Sequence, residues 1–235
     1  MAQATLITRV GVVVMLAAGC SSPGSHVVGG SAVAGSAGSS PALTSAVAPA
    51  LTSSLPAVRS CRTVSATLAD IPRAAEPEPQ MRIPVPQGWE RATGMENQTV
   101  RFAMRNPQLA VDGFTPNVTV LLTKLDAALQ QQLDADMGRP EKVLEAQNEQ
   151  LVRKLGLTDV QLTTTEVCGV PALVSRAAIP MTVPARGLKF LRAVYKGRDI
   201  TYMLSVMVQT TRPENQTLAA DSETIIDGFQ FLPTP

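Results

Sequence analysis

The chain is poor in aromatic residues and has almost no histidine. Phe, Trp and Tyr together make up 3% of its 235 residues, and His26 is the only imidazole. Everything beyond residue 26 therefore lacks the base of a histidine-assisted nucleophile and any His ligand for a metal. Gly-x-Ser-x-Gly does not occur after residue 60, and Gly35-Ser36-Ala37-Gly38 sits in low-complexity sequence without a strand-to-helix context. No strand, Gly-rich turn and helix follow one another, which excludes a dinucleotide or P-loop site. Long apolar runs are missing too. The longest candidate, Val10–Ala18, falls far short of the roughly 20 residues a membrane-spanning helix needs.

Charge is balanced rather than one-sided. With Arg9 and Arg59 set aside, 18 Lys and Arg face 19 Asp and Glu over residues 62–235. Both signs are scattered, with no basic stripe and no interleaved aromatics, so nucleic acid is excluded as a partner. The carboxylate pairs Asp134/Asp136 and Asp221/Glu223 fall on expected helix surfaces. Acid–base work needs carboxyls that converge from different elements. The chain is expected not to be an enzyme, and no cofactor or metal is implied. The triplets beginning at Asn97, Asn117 and Asn215 match the N-glycosylation rule by chance.

What is present begins at the N-terminus. Arg9, the apolar run and Leu16-Ala17-Ala18-Gly19-Cys20 have the layout of a secretory signal peptide with a cysteine at the cleavage point. This resembles a bacterial lipobox, in which residues 1–19 are removed and Cys20 carries the lipid. The alternative is an ordinary cleaved signal peptide with Cys20 unmodified. Two or more acyl chains give durable attachment where one is marginal. From Cys20 to Ser60 there is no Asp or Glu, and Ala, Ser, Gly, Val and Pro dominate. Such a composition buries too little apolar area to fold, so residues 20–60 read as a disordered tether with a reach of about 35 Å. Localisation on the outer face of the cell membrane follows, with the membrane itself as a partner through the anchor.

The remainder, residues 61–235, suits one folded domain. With Cys20 assigned to lipid, Cys61 and Cys168 form an even pair in an exported domain, and a disulfide between them is expected. A metal site would lack partner ligands, and a cysteine nucleophile would lack its base.

Along this domain, the Pro-rich tract Arg73–Gln80 reads as an extended connector, and Met81–Trp89 as extended chain with a turn at Gly88. Val100, Phe102 and Met104 alternate with polar residues, as do Val118, Val120 and Leu122, giving two strands. The intervening loop, Asn106–Pro116, is a candidate pocket rim. Leu125, Leu129, Leu133 and Met137 then recur every four residues as one side of a helix, and Pro140 opens a second helix that Gly156 ends. Four strands are expected next, over Leu157–Val167, Ala172–Met181, Leu188–Lys196 and Ile200–Thr210, and a helix opening at Pro213 closes the chain. In the last strand Ile200, Tyr202, Leu204, Val206 and Val208 share one side, while Met203 and Met207 lie on the other. Strands grouped apart from helices argue an α+β fold, an antiparallel β-sheet packed between α-helices.

Trp89, Phe114, Met203 and Met207 are the residues to watch for ligand contact, because methionine suits adaptable apolar surfaces. The plainer reading packs the two methionines beneath a helix. Whether their face is filled or left as a cleft separates a lipid-binding module from an adaptor.

Several of these segments together resemble a known family. The lipobox and tether, Leu68-Ala69-Asp70-Ile71, Ile83–Trp89, Pro116–Val120 and Ile225-Ile226-Asp227-Gly228-Phe229 are similar to the mycobacterial Lpp-LpqN lipoproteins. The resemblance implies a PsbP/Mog1-like α/β/α sandwich and no catalytic residues. It also implies an envelope lipoprotein connected with cell-wall lipids, whose partners are envelope glycolipids or the proteins that export them. The alternative is a protein–protein adaptor with no small ligand.

Overall fold

The computed structural model describes residues 61–75, 77–136, 139–180, 182, 185–197 and 200–232. The signal peptide, Cys20, His26 and the tether lie outside the described residues. Among those described, the chain forms β1 (Thr67–Ile71), β2 (Gln80–Val85), β3 (Glu90–Arg91), β4 (Val100–Arg105), β5 (Asn117–Lys124), α1 (Ala127–Ala135) and α2 (Pro140–Leu155). It continues with β6 (Thr158–Val167), β7 (Val170–Ile179), β8 (Arg186–Lys196), β9 (Thr201–Thr210), α3 (Gln216–Asp227) and β10 (Gln230–Leu232). The fold is α+β and every strand pair is antiparallel.

A seven-stranded sheet in the order β3-β4-β5-β9-β8-β7-β6 is the centre of the structure. β6 to β9 form a meander, each strand pairing with the next. β5 then lies against β9 with Val120 opposite Val206. Both faces of the sheet are covered. On one, α1 and α2 bring Leu133, Val143 and Leu144 onto Leu173 and Val194. On the other, α3 and a separate three-stranded sheet, β1-β2-β10, close the largest cluster. That cluster joins Ile71, Met81 and Ile83 to Phe102, Val120, Leu204, Ile225 and Phe231.

Local chemistry accounts for the helix limits. The Asp126 side chain accepts from Leu129 N at 2.8 Å, and that of Asn215 accepts from Leu218 N at 3.0 Å. Each cap satisfies an amide that would otherwise have no partner, worth about 1 kcal/mol. Because Asn215 is the cap, α3 starts at Gln216 and leaves Pro213 in the preceding turn, three residues later than the sequence suggests. Pro140 occupies the first turn of α2, as its fixed φ allows.

The three-stranded sheet is the main addition to the sequence-based order. β2 pairs on both sides although it contains Pro84. β10 pairs only with Gln80, Met81 and Arg82, so Pro84 has β1 alone as its neighbour, opposite Leu68. Its missing N–H therefore breaks no second ladder. The expected connector Arg73–Gln80 also carries a buried anchor. The Glu78 side chain accepts from Ala74 N at 2.7 Å and forms a short ion pair with Arg101.

Candidate functional site

Met203 and Met207 do lie on the face of β9 opposite Tyr202, Leu204 and Val206, but that face is occupied. Met203 packs against the cluster of Leu133, Val143 and Leu144. Met207 packs against Leu157, Leu188 and Phe190, beneath the end of α2. Trp89 is on the other side of the sheet, buried in the largest cluster, and its Nε1–H donates to Asp221 Oδ2 at 2.8 Å. Phe114 sits in the β4–β5 loop with the Arg186 guanidinium 4.7 Å above its ring. These four residues do not converge, and none lines either of the two cavities described below.

Cys61 and Cys168 are bonded, with their Cα atoms 4.2 Å apart. Cys168 is in the tight β6–β7 turn, and the Phe231 amide in β10 approaches its sulfur at 3.4 Å. The bridge thus ties the start of the described domain to both the large sheet and the small one.

Two cavities flank the first turns of α3. The smaller, about 170 Å³, lies between that helix and the loop after β4, with Leu109, Val111, Pro116 and Leu218 among its walls. The Asn106–Pro116 loop is therefore a pocket rim, as its composition suggests. The larger is a cleft of about 420 Å³ between α3 and strands β7 and β8. This volume lies in the range of small-molecule sites. Val208, Leu218 and Ala219 supply apolar wall, and Gly187 lies among them. Gly187 permits a close approach, since a Cβ there would meet Pro213 Cβ at 3.0 Å.

At one end of this cleft three charges meet. Arg176 on β7 and Lys189 on β8 are directly opposed cross-strand partners, a repulsive placement by itself. Glu223 on α3 resolves it: one carboxylate oxygen pairs with Arg176, and the other lies 2.5 Å from Lys189 Nζ. Lys189 is 8% exposed. Burial pushes its pKa down, and Glu223 offsets part of that fall. Among the described residues Glu223 is the one carboxylate within ion-pair reach of this ammonium.

Sequence periodicity gave no sign of this site. Asp221 and Glu223 look like a solvated helix surface, whereas the structure uses Asp221 on Trp89 and Glu223 on two cations to seat α3. The only hint was a lysine inside the apolar run Leu188–Leu191. Among the described residues no three His, Cys, Asp or Glu side chains are grouped to hold a metal. No described helix is long and apolar enough to cross a membrane.

The antiparallel sheet layered between helices and a small second sheet defines an α+β class with solved members. LpqN of Mycobacterium tuberculosis, a protein involved in cell envelope biogenesis, is similar at a TM-score of 0.51 and 15% identity. The match covers 71% of this chain and 91% of LpqN. The Ran-binding protein Mog1p of Saccharomyces cerevisiae aligns over 72% of this chain and 98% of its own, at 12% identity and a TM-score of 0.44. The likeness to LpqN establishes the fold. No protein-family profile and no curated protein sequence matches the chain.

Proposed function

We propose that this protein is a lipid-anchored accessory protein of the cell envelope that binds an amphiphile and does not transform it. The cleft beside α3 carries the reading: a hydrocarbon chain fits its apolar walls, and fixed charges at one end supply a place for a polar head. The lipobox-like start of the chain and the envelope role of LpqN support the location. Membership of the Lpp-LpqN lipoproteins, and envelope glycolipids or their export machinery as partners, belong to the same proposal.

The test is native mass spectrometry of the full chain incubated with total lipid extract from its own envelope. A discrete adduct that a second amphiphile displaces is the expected result. No adduct, with the protein folded and the disulfide confirmed by mass, overturns the binding role. An adaptor role then takes its place, and one observation favours it: β6 ends the large sheet and pairs with β7 alone. Most of its ten residues are exposed, and Leu162 is 48% exposed, so it offers an open ladder to an extended partner segment.

A further inference from the structure

The wall of the α3 cleft carries three cations, Arg176, Arg186 and Lys189, against two carboxylates, Asp159 and Glu223. Arg186 is committed to the Phe114 ring. The remaining two cations both pair with Glu223, and Asp159 forms an ion pair with neither. A buried ammonium has three donors to satisfy, and among the described residues Glu223 is the one carboxylate within ion-pair reach of the Lys189 Nζ. Leaving such donors unmade in a desolvated site is costly.

The group that covers Lys189 is itself half-exposed. The Glu223 side chain is 48% exposed, while that of Lys189 is 9% exposed. A half-exposed glutamate can turn its carboxylate out to solvent once another anion takes over its two ion pairs. Glu223 is thus placed as an internal anion over a cationic seat, with the apolar channel running away from it past Val208 to Leu218 and Ala219.

We infer that the cleft takes an amphipathic anion, whose phosphate or carboxylate head displaces Glu223 from Lys189 and Arg176 while its alkyl chain follows the apolar wall. The inference rests on the reading of this cleft as a binding site and adds the charge of the head group. The displacement forms and breaks ion pairs only. Two hydrogen-bonding oxygens of the incoming head replace the two carboxylate oxygens of Glu223, and the displaced carboxylate gains water.

The test titrates the full chain with dodecyl phosphate, dodecyl maltoside and inorganic phosphate by calorimetry, the amphiphiles below their micellar concentrations. Dodecyl phosphate is expected to bind at least about tenfold more tightly than the uncharged maltoside, the worth of a hydrogen bond to a charged group. Lys189→Met keeps the length of the side chain and removes the charge. It should abolish that preference. Glu223→Gln removes the competing anion and should shift dodecyl phosphate several-fold the other way, so a folding defect in either variant cannot mimic the pair.

Equal affinity for the two amphiphiles, or a preference that neither variant changes, overturns the inference and leaves amphiphile binding standing. Inorganic phosphate binding as tightly as dodecyl phosphate also overturns it, because the site would then read a free ion. If neither amphiphile binds while the lipid extract still yields an adduct, the head group is of another class and only this inference fails. No binding of probes and no adduct removes the binding function with it.

Discussion

Replacing Arg192 by methionine is expected to stabilise the protein. Arg192 lies on β8, 8% exposed, on the face covered by α1 and α2. Its guanidinium stands 5.4 Å from the Phe190 ring, and its Nε has no hydrogen-bond partner. Among the described residues no carboxylate lies within ion-pair distance. Burial alone pushes its pKa down to about 10. At about 1.36 kcal/mol per pH unit, that displacement puts a penalty on the order of 3 kcal/mol on the charged form in the folded state. Contact with the phenyl ring returns about 1–2 kcal/mol of this. Methionine keeps most of the apolar stem and carries no charge, so Arg192→Met should gain about 1–3 kcal/mol at pH 7. Urea unfolding reads the gain as a higher midpoint at unchanged m. The pH dependence has a defined sign. A base whose folded pKa is lowered destabilises the fold in full below that pKa, and the cost fades as pH rises through it. The advantage of the variant should therefore be constant through neutral pH and shrink above about pH 10. A variant more than about 1 kcal/mol less stable than the parent would refute the reasoning, because the guanidinium would then hold an anionic partner that the described residues do not supply.

Three further outcomes are expected. Cys61→Ser with Cys168→Ser opens a loop spanning 107 positions and should cost about 4–5 kcal/mol of chain entropy. By calorimetry that is a fall in Tm of about 10–20 °C, and a loss under about 1 kcal/mol would contradict the loop-closure account. Gly228→Ala places a Cβ 2.4 Å from Val64 Cγ2 and 2.6 Å from Pro84 Cγ. Because the φ of −94° at Gly228 suits alanine, crowding alone should destabilise by about 1–3 kcal/mol in urea; a neutral or stabilising result would mean that β2 moves freely away from α3. Trp89→Phe loses the 2.8 Å hydrogen bond to Asp221 and should cost about 2 kcal/mol, with unchanged stability showing that this contact does not hold α3 in place.

The elements that sequence made legible are those in which one rule acts alone. Val118, Val120 and Leu122 alternate because only one face of that stretch of β5 packs into the largest cluster. α2 begins at Pro140 and stops before Gly156 because proline and glycine act locally. The two sides of β9 were also readable: Tyr202, Leu204 and Val206 are fully buried, while Met203 and Met207 are half-buried. Elsewhere two rules collide. Alternation treats a charged residue as facing water, yet β8 is covered on both sides, so Lys189 and Arg192 point to opposite faces and both are buried. Nothing in the local pattern of Leu188–Arg192 distinguishes that case from an amphipathic strand. The small sheet was hidden for another reason. β10 has three residues, and β2 carries a proline, so neither has enough length or regularity to announce a strand. Their pairing exists because α3 returns the chain to β2, a long-range contact that local sequence does not encode. The cleft was hidden in the same way, since its charges come from β7, β8 and α3, and only their assembly makes a site.

The bridge between Cys61 and Cys168 has a mechanical consequence. It joins the first described residue of the domain to a turn of the central sheet, and the segment enclosed by this separation of 107 holds β1 to β6, α1 and α2. A pull applied to the chain upstream of Cys61 passes through sulfur into the turn before β7. The covalent link carries the load, and everything it encloses is spared. The enclosed segment, at about 3.5 Å per residue, amounts to roughly 370 Å of chain that tension cannot draw out while the bridge is intact. Only the segment from β7 to the C-terminus can yield. For a domain pulled from its N-terminal side, oxidation state therefore decides how far the protein stretches before it fails.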